Sequence, residues 1–188
     1  MAAQPGSHRL GPRCGRLIVR TFRDGLAAQA GHDLIIEIPD WSGELEVAPD
    51  GTPARLFVRV GLPSLIVREG TGGLKPLTDR DRREIAATAL KTLSAGQNPE
   101  ATFTATEFEP NGDGGGQIAG TLTLAGRSQP LRLAVAATGP DRYRVTTSVV
   151  QTRHGIKPYT GFLGALKVRD AVDVEVEVDL SQTEEAAA

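Results

Sequence analysis

Apolar and polar residues alternate along most of this chain with the two-residue period of a β-strand. The clearest run spans residues 172–180, where four valines and a leucine at even positions are separated by four acidic residues. An antiparallel strand with one buried face produces this pattern. Similar runs, some less regular, cover residues 16–23, 33–38, 44–47, 54–61, 101–108, 117–124, 130–138 and 143–151. The pattern predicts an all-β protein.

One segment, residues 78–93, departs from this rhythm and has the spacing of a helix. Ile85, Ala89 and Leu93 would form an apolar stripe along it. Thr78 is a suitable N-cap residue, and Gly96 follows the end of the segment. We therefore expect one helix, which packs its stripe against the sheet.

The number and spacing of the strands favour an antiparallel, lipocalin-like β-barrel of about eight strands with one helix. A β-sandwich is the competing architecture, because the pattern alone does not separate the two. We expect the barrel domain to span residues 16–182. The Gly-, Pro- and Arg-rich residues 1–15 are predicted to be a disordered lead, and residues 183–188 a disordered tail.

Composition narrows the possible partners. The chain has 21 Lys and Arg against 23 Asp and Glu, and only 4% aromatic residues. This balance gives no support for binding nucleic acid or an anionic membrane. Cys14 is the only cysteine, which excludes an intrachain disulfide and a four-thiolate zinc site. No apolar run is long enough for an export signal or a membrane span, so we expect a cytoplasmic protein without membrane insertion.

Motifs that signal catalysis are missing from the sequence. It contains no Gly-x-Ser-x-Gly, no HExxH and no CxxC. The adjacent His32 and Asp33 would point to opposite faces of a strand and so would not form a dyad. We therefore expect no enzymatic activity, no cofactor and no metal. The alternative is a haem-binding or redox barrel that uses His32, with His154 as a second candidate.

Four segments resemble, in the same order, those of the YceI-like family. They are SLIVREGTGGLKPLTDRDRREI (64–85), NPEATFTATEF (98–108), GTLTLAGRSQPLRLAV (120–135) and HGIKPYTGFLGALKVRDAVDVEVEVDL (154–180). The resemblance covers residues 16–180 and implies a lipocalin-like barrel with a long internal channel. It also implies binding of polyprenyl chains or related lipids without catalysis, and often a homodimer. GHDL at residues 31–34 departs from the family, which usually has a Gly-Arg-Phe-like segment there.

A channel for a polyprenyl chain, a quinone or a fatty-acyl lipid needs a dry apolar wall. The predicted inward faces provide one, although the same residues could equally fill a solid core. A solid core would favour a protein-interaction module that uses the acidic outer face of the last strand. Phe162 lies in a Gly-rich loop that could form the channel mouth, a plug or a dimer contact. The candidate ligand-binding residues are Phe22, Leu34, Ile36, Val58, Phe103, Leu122, Leu133, Val135, Tyr143, Val145, Phe162, Val174 and Val176.

Overall fold

The computed structural model describes residues 4–185, and within them the chain forms fifteen β-strands and one α-helix. The strands are β1 Gly6–Leu10, β2 Gly15–Thr21, β3 Arg23–Asp24, β4 His32–Glu37, β5 Trp41–Val47, β6 Pro53–Gly61, β7 Ile66–Gly72, β8 Glu100–Pro110, β9 Gly116–Leu124, β10 Arg127–Gly139, β11 Arg142–Val150, β12 Thr160–Gly161, β13 Leu166–Val168, β14 Ala171–Asp179 and β15 Glu184–Glu185. The α-helix α1 is Asp79–Thr92. Short 3-10 helices lie at Ala28–Ala30, Leu62–Ser64, Gln151–His154, Phe162–Gly164 and Leu180–Gln182. The prediction of an all-β fold with one helix is confirmed.

Twelve of these strands form one strongly curled antiparallel sheet. Their order is β15-β1-β5-β6-β8-β9-β10-β11-β14-β2-β4-β7. The expected number of about eight strands is wrong. The strands that the alternation did not reveal are β1, β7 and β15. β1 reads GSHRL and β15 has two residues, so neither shows an apolar alternation.

The sheet curls until strands from distant parts of its order meet. Ile38, just after β4, extends the pairing of β4 with its neighbour β2, because its amide donates to the Leu17 carbonyl at 3.1 Å. Trp41 at the start of β5 is 3% exposed and packs with Leu17 and Ile38. The apolar faces of the strands therefore turn toward a common interior.

The helix α1 begins at the predicted N-cap. Thr78 Oγ1 accepts from the Asp81 amide at 3.2 Å, and the Asp81 carboxylate accepts from the Thr78 amide at 2.8 Å. This reciprocal capping box satisfies two backbone donors that would otherwise lack a partner. The predicted apolar stripe packs on a buried cluster of Ile36, Leu65 and Val67. The helix thereby covers part of the sheet's inner face.

The ends of the chain are more ordered than the sequence suggested. The prediction of disorder is wrong for residues 6–10, because β1 pairs with β5 along its whole length. It is also wrong for residues 184–185, which pair with β1. Backbone hydrogen bonds make these pairings, so no apolar pattern is required. Residues 1–3 and 186–188, also predicted to be disordered, lie outside the described residues.

A second, three-stranded sheet of order β12-β13-β3 joins two loops that follow β2 and β11. β13 pairs with β3 through Lys167 opposite Asp24 and Val168 opposite Arg23. The loop after β11 is therefore held beside the loop after β2.

Candidate functional site

An apolar cavity of about 250 Å³ lies inside the curled sheet. Its lining comes from β2, β4, β6, β8, β9, β10, β11 and β14, and the end of the helix adds Ala89 and Thr92 of α1 and the C-cap residue Leu93. The described residues that line it include no charged side chain, and the polar ones are four threonines and Gln151. Such a wall offers dispersion and hydrophobic contact to an apolar molecule and little to a charged one.

The interior is packed unevenly. Some inward residues of β6 and β8 are almost fully buried, with Leu56 at 7%, Phe103 at 6% and Ala105 at 2% exposure, whereas Val58 and Val60 of β6 are only partly buried. Inward residues of the opposite wall are only partly buried, and these are Leu122, Leu124, Leu131, Leu133, Val145, Val174 and Val176. An inward side chain that keeps accessible surface faces empty space rather than close-packed atoms. The wall formed by β9, β10, β11 and β14 therefore faces the cavity.

A second cavity, of about 490 Å³, lies at the end of the sheet that carries the β5–β6 and β8–β9 turns. Val145 lines both cavities, so the two adjoin at this residue. Asp50, Glu109 and Gln117 make the second cavity more polar at its rim. Tyr143 lines its wall, and burial of the phenol raises the pKa of Tyr143. The two cavities together have an apolar inner part and a mainly apolar outer part with polar residues at its rim.

Thr21, at the end of β2, brings an unpaired polar atom to the inner cavity. Its hydroxyl oxygen is buried and has no hydrogen-bond partner within residues 4–185. Gln151 lines the same cavity, but its side-chain amide already donates to the Arg169 carbonyl at 3.1 Å. Burying a hydroxyl without a partner costs free energy, so the Thr21 hydroxyl is an unsatisfied polar group in the wall of the inner cavity.

A third cavity, of about 560 Å³, is bordered by residues on the outer side of the sheet. The backbone ladder between β10 and β11 stops at Ala134 opposite Thr146. Beyond this pair of residues, a side-chain hydrogen bond joins the two strands, in which Thr147 Oγ1 donates to the Arg132 carbonyl at 2.7 Å. Arg20, Arg132, Asp173 and Glu175 all line this cavity, so its chemistry does not suit a purely apolar molecule. We therefore assign the candidate site to the inner pair of cavities.

The structure brings together ten of the thirteen predicted site residues. The inner cavity is lined by Ile36, Val58, Phe103, Leu122, Leu133, Val145, Val174 and Val176. Val135 and Tyr143 line the second cavity. Whether these residues bind a ligand stays a prediction.

The other three predicted residues lie elsewhere. Phe22 packs beneath the guanidinium of Arg169, which is 5.1 Å from the ring centroid. Leu34 packs against the cluster under α1. Phe162 is 67% exposed on its loop. None of the three lines either inner cavity.

Sequence reasoning also missed several lining residues. Most of them lie in the predicted alternating strands, where the same two-residue period that indicates the other inward residues also applies. Leu62, Leu65 and Leu93 lie outside those strands, where no local pattern shows which side faces a cavity. The missed apolar residues of the inner cavity include Leu17, Val19, Ile38, Val60, Leu62, Leu65, Leu93, Leu124, Leu131, Val149 and Val172.

Neither histidine considered for haem binding lines the inner cavities. His32 Nε2 lies 2.8 Å from the Lys75 carbonyl oxygen. His154 is 4% exposed, and its Nδ1 lies 3.0 Å from the Arg127 carbonyl oxygen. Residues 4–185 contain no group of three or more His, Cys, Asp or Glu side chains placed to hold a metal ion. The positions of His32 and His154 therefore do not favour the haem alternative.

The acidic outer face of β14 is largely neutralised by arginines of the neighbouring strands. Glu177 accepts from Arg144 at 2.8 Å and Asp179 from Arg142 at 3.1 Å. Glu175 lies 3.7 Å from the Arg20 guanidinium. These pairs leave the face less acidic than the alternation in the sequence suggested, which weakens the case for an acidic interaction surface.

The fold and the site together define a curled antiparallel sheet that encloses an apolar cavity. Comparison with known proteins agrees, since the model of the YceI-like domain matches residues 33–180. The chain belongs to the YceI-like family, as the four sequence segments indicated. No curated protein sequence is significantly similar to it.

Solved structures show the same fold at low sequence identity. The crystal structure of Burkholderia cenocepacia BcnA has a TM-score of 0.62 and 14% identity, covering 87% of this chain and 94% of that one. The Campylobacter jejuni YCEI protein gives 0.58 and 17%, covering 81% and 85%. A polyisoprenoid-binding domain from Saccharophagus degradans gives 0.55 and 11%, covering 98% and 100%. At these identities the likeness concerns the fold alone.

Proposed function

We propose that this chain binds a long apolar or amphiphilic molecule inside a lipocalin-like barrel and catalyses no reaction on it. The observation that carries the proposal is the pair of adjoining cavities, of which the inner one has no charged lining residue. Apolar chains bind such surfaces because each buried methylene contributes about 0.8 kcal/mol. Storage, transport and sensing of the molecule are all compatible with this chemistry.

The polarity of the site sets the orientation of the ligand. The apolar chain would lie along Leu122, Leu133 and Val174 in the inner cavity. An uncharged polar head group, especially one that can donate hydrogen bonds to carboxylates, would then lie near the rim at Asp50 and Glu109. A polyprenyl chain, a quinone or a fatty-acyl lipid meets this description. The likeness to a polyisoprenoid-binding domain supports the polyprenyl class.

Three further expectations from the sequence stay predictions. They are a homodimer, a cytoplasmic location and, as the alternative function, a protein-interaction module. No helix within residues 4–185 is long and apolar enough to cross a membrane.

The proposal is tested by measuring the affinity of the purified protein for prenyl alcohols and fatty acids of increasing length. Affinity should rise by roughly 0.8 kcal/mol per methylene until the channel is full, and then level off. Affinity that does not depend on chain length would contradict an internal channel, and this measurement needs no variant.

A matched pair of variants locates the ligand. Leu122→Asp places a carboxylate in the cavity, whereas Thr121→Asp places one on the exposed outer face of the same strand. We expect Leu122→Asp to weaken chain binding by at least a hundredfold, because a charge in an apolar cavity costs several kcal/mol. Thr121→Asp should bind as the wild type does. Far-UV circular dichroism of both variants checks that they fold, and equal affinities would place the ligand outside this cavity.

A further inference from the structure

Four large apolar side chains are exposed on three loops at one end of the molecule. Leu26 is 100% exposed, Leu74 81%, Phe162 67% and Leu163 109%. We name this surface the apolar tip and define it by the loop segments 22–31, 72–77 and 154–169. Single exposed apolar residues are ordinary, but several on adjoining loops indicate an interaction surface.

The loops of the apolar tip are tied to one another. The Ala27 amide donates to the Ala165 carbonyl at 2.9 Å, and β3 pairs with β13. The Arg23 guanidinium donates to the Gly31 carbonyl at 3.0 Å and so closes the segment 22–31 on itself. His32, the next residue along the chain, has its Nε2 2.8 Å from the Lys75 carbonyl oxygen and so joins this segment to 72–77. These contacts hold the three loops together, so the exposed side chains lie on one surface.

The backbone holds two of these side chains outward at a conformational cost. Phe162 has φ 47° and Leu163 has φ 56°, and both lie in the left-handed region that large side chains rarely adopt. Burial does not compensate for this cost, since both side chains are exposed. Strained backbone that presents apolar groups to solvent points to a function outside the fold itself.

The charge around the apolar tip differs from that of the whole chain. The three segments contain five Lys and Arg residues and one acidic residue, whereas the whole chain has a formal net charge of −2. Asp33 lies 3.9 Å from the Arg23 guanidinium, and Asp170 directly follows Arg169, so the basic character comes from the three lysines. Lys75, Lys157 and Lys167 are exposed. The near balance of charge over the whole sequence therefore conceals a local basic surface, which the composition argument against an anionic membrane could not detect.

From this combination we infer that the apolar tip docks on the surface of an anionic lipid bilayer, inserting its leucines and Phe162 among the acyl chains. Apolar side chains surrounded by basic residues are the pattern of peripheral membrane binding, in which insertion and electrostatic attraction add together. Separate protruding side chains suit a deformable bilayer better than a rigid protein partner, which needs a complementary surface of its own. The inference does not depend on what the inner cavities bind.

The test is co-sedimentation of the full-length protein with vesicles made of equal parts phosphatidylcholine and phosphatidylglycerol. We expect binding at low ionic strength, weaker binding in added salt, and little binding to phosphatidylcholine alone. Leu163→Glu should lower the partition coefficient at least tenfold, because it replaces a leucine that inserts among the acyl chains with a charged side chain. Lys167→Glu should weaken binding to the mixed vesicles in low salt.

The matched control is Phe57→Glu, since Phe57 is 38% exposed on β6, away from the apolar tip. This variant should bind vesicles as the wild type does. Absence of binding to the mixed vesicles, or an equal loss in Phe57→Glu and Leu163→Glu, would overturn the inference. A third result would also overturn it. If the wild type does not bind vesicles but is a dimer in analytical ultracentrifugation, and Leu163→Glu is a monomer, then a second copy of the chain covers the apolar tip.

Discussion

A substitution at Val145 tests whether the interior of the sheet is hollow, because Val145 lines both cavities at the point where they adjoin. We consider the substitution Val145→Phe. The inner cavity measures about 250 Å³. An apolar cavity of about 150 Å³ already accommodates benzene. A phenyl ring at position 145 should therefore fit into existing space and plug the junction.

The expected magnitudes follow from packing. In a close-packed core, inserting extra carbon atoms costs about 1–3 kcal/mol. At Val145 we expect a change in the free energy of unfolding within about 1 kcal/mol, because the ring fills empty space and buries apolar surface. Binding should change far more. A plug that keeps three methylenes out of the channel weakens binding by about 2.4 kcal/mol, which is roughly fiftyfold.

Urea unfolding followed by tryptophan fluorescence measures the first quantity, and titration with a long-chain fatty acid measures the second. The matched control is Ala105→Leu, since Ala105 is 2% exposed and packs against Leu56 and Phe103. This control should lose about 1–3 kcal/mol of stability. If Val145→Phe loses as much stability as Ala105→Leu, the interior around Val145 is filled and the reasoning fails.

Two further predictions concern polar groups. The Glu37 side chain is 15% exposed and accepts from Arg16 and Arg68, and the hydrogen bond from Arg16 is the main cause of its lowered pKa. Glu37→Gln should therefore cost about 1 kcal/mol at neutral pH. The difference in the free energy of unfolding between the wild type and Glu37→Gln, measured in urea, should be fully present above about pH 4.3, the pKa of Glu in the unfolded state. It should disappear as the pH falls through the lower pKa of Glu37 in the folded state, and an unchanged difference at pH 3 would refute this. Thr21→Val removes the unpaired hydroxyl, so the ligand-free protein should be at least as stable as the wild type. Because the proposed orientation places the ligand's head group at the rim near Asp50 and Glu109, the same variant should bind a prenyl alcohol and an alkane as the wild type does. A loss for the alcohol alone would show that its hydroxyl reaches Thr21 and would contradict this orientation.

Alternation alone predicted much of the fold and of the cavity wall. The valines of β14 and the inward residues of β6 face the interior as expected, because a two-residue period assigns every second side chain to one face. The alternation did not predict β1, because its GSHRL sequence pairs through the backbone and has no two-residue period. The position of Phe162 outside both cavities could not be predicted, because a loop has no period that fixes the direction of its side chains. The local pattern therefore predicts which face of a regular strand is buried, but it does not predict a strand without alternation or the direction of side chains on a loop.

Other properties depend on residues far apart in the sequence. An inward leucine gives the same pattern whether it meets another side chain or a void, so the free space beside Leu133 and Val174 could not be predicted. The unpaired hydroxyl of Thr21 likewise depends on what other strands fail to supply. The basic apolar tip arises only when three separated loops are brought together.

Native mass spectrometry of the freshly purified protein, followed by solvent extraction of whatever is bound, tests the proposed binding function most directly. We expect a stoichiometric adduct whose extract contains a prenyl or long-chain acyl compound. Val145→Phe should lose this adduct, and Thr121→Asp should keep it. A clean ligand-free mass that persists after incubation with prenyl alcohols and fatty acids would contradict the proposal and favour a protein-interaction module.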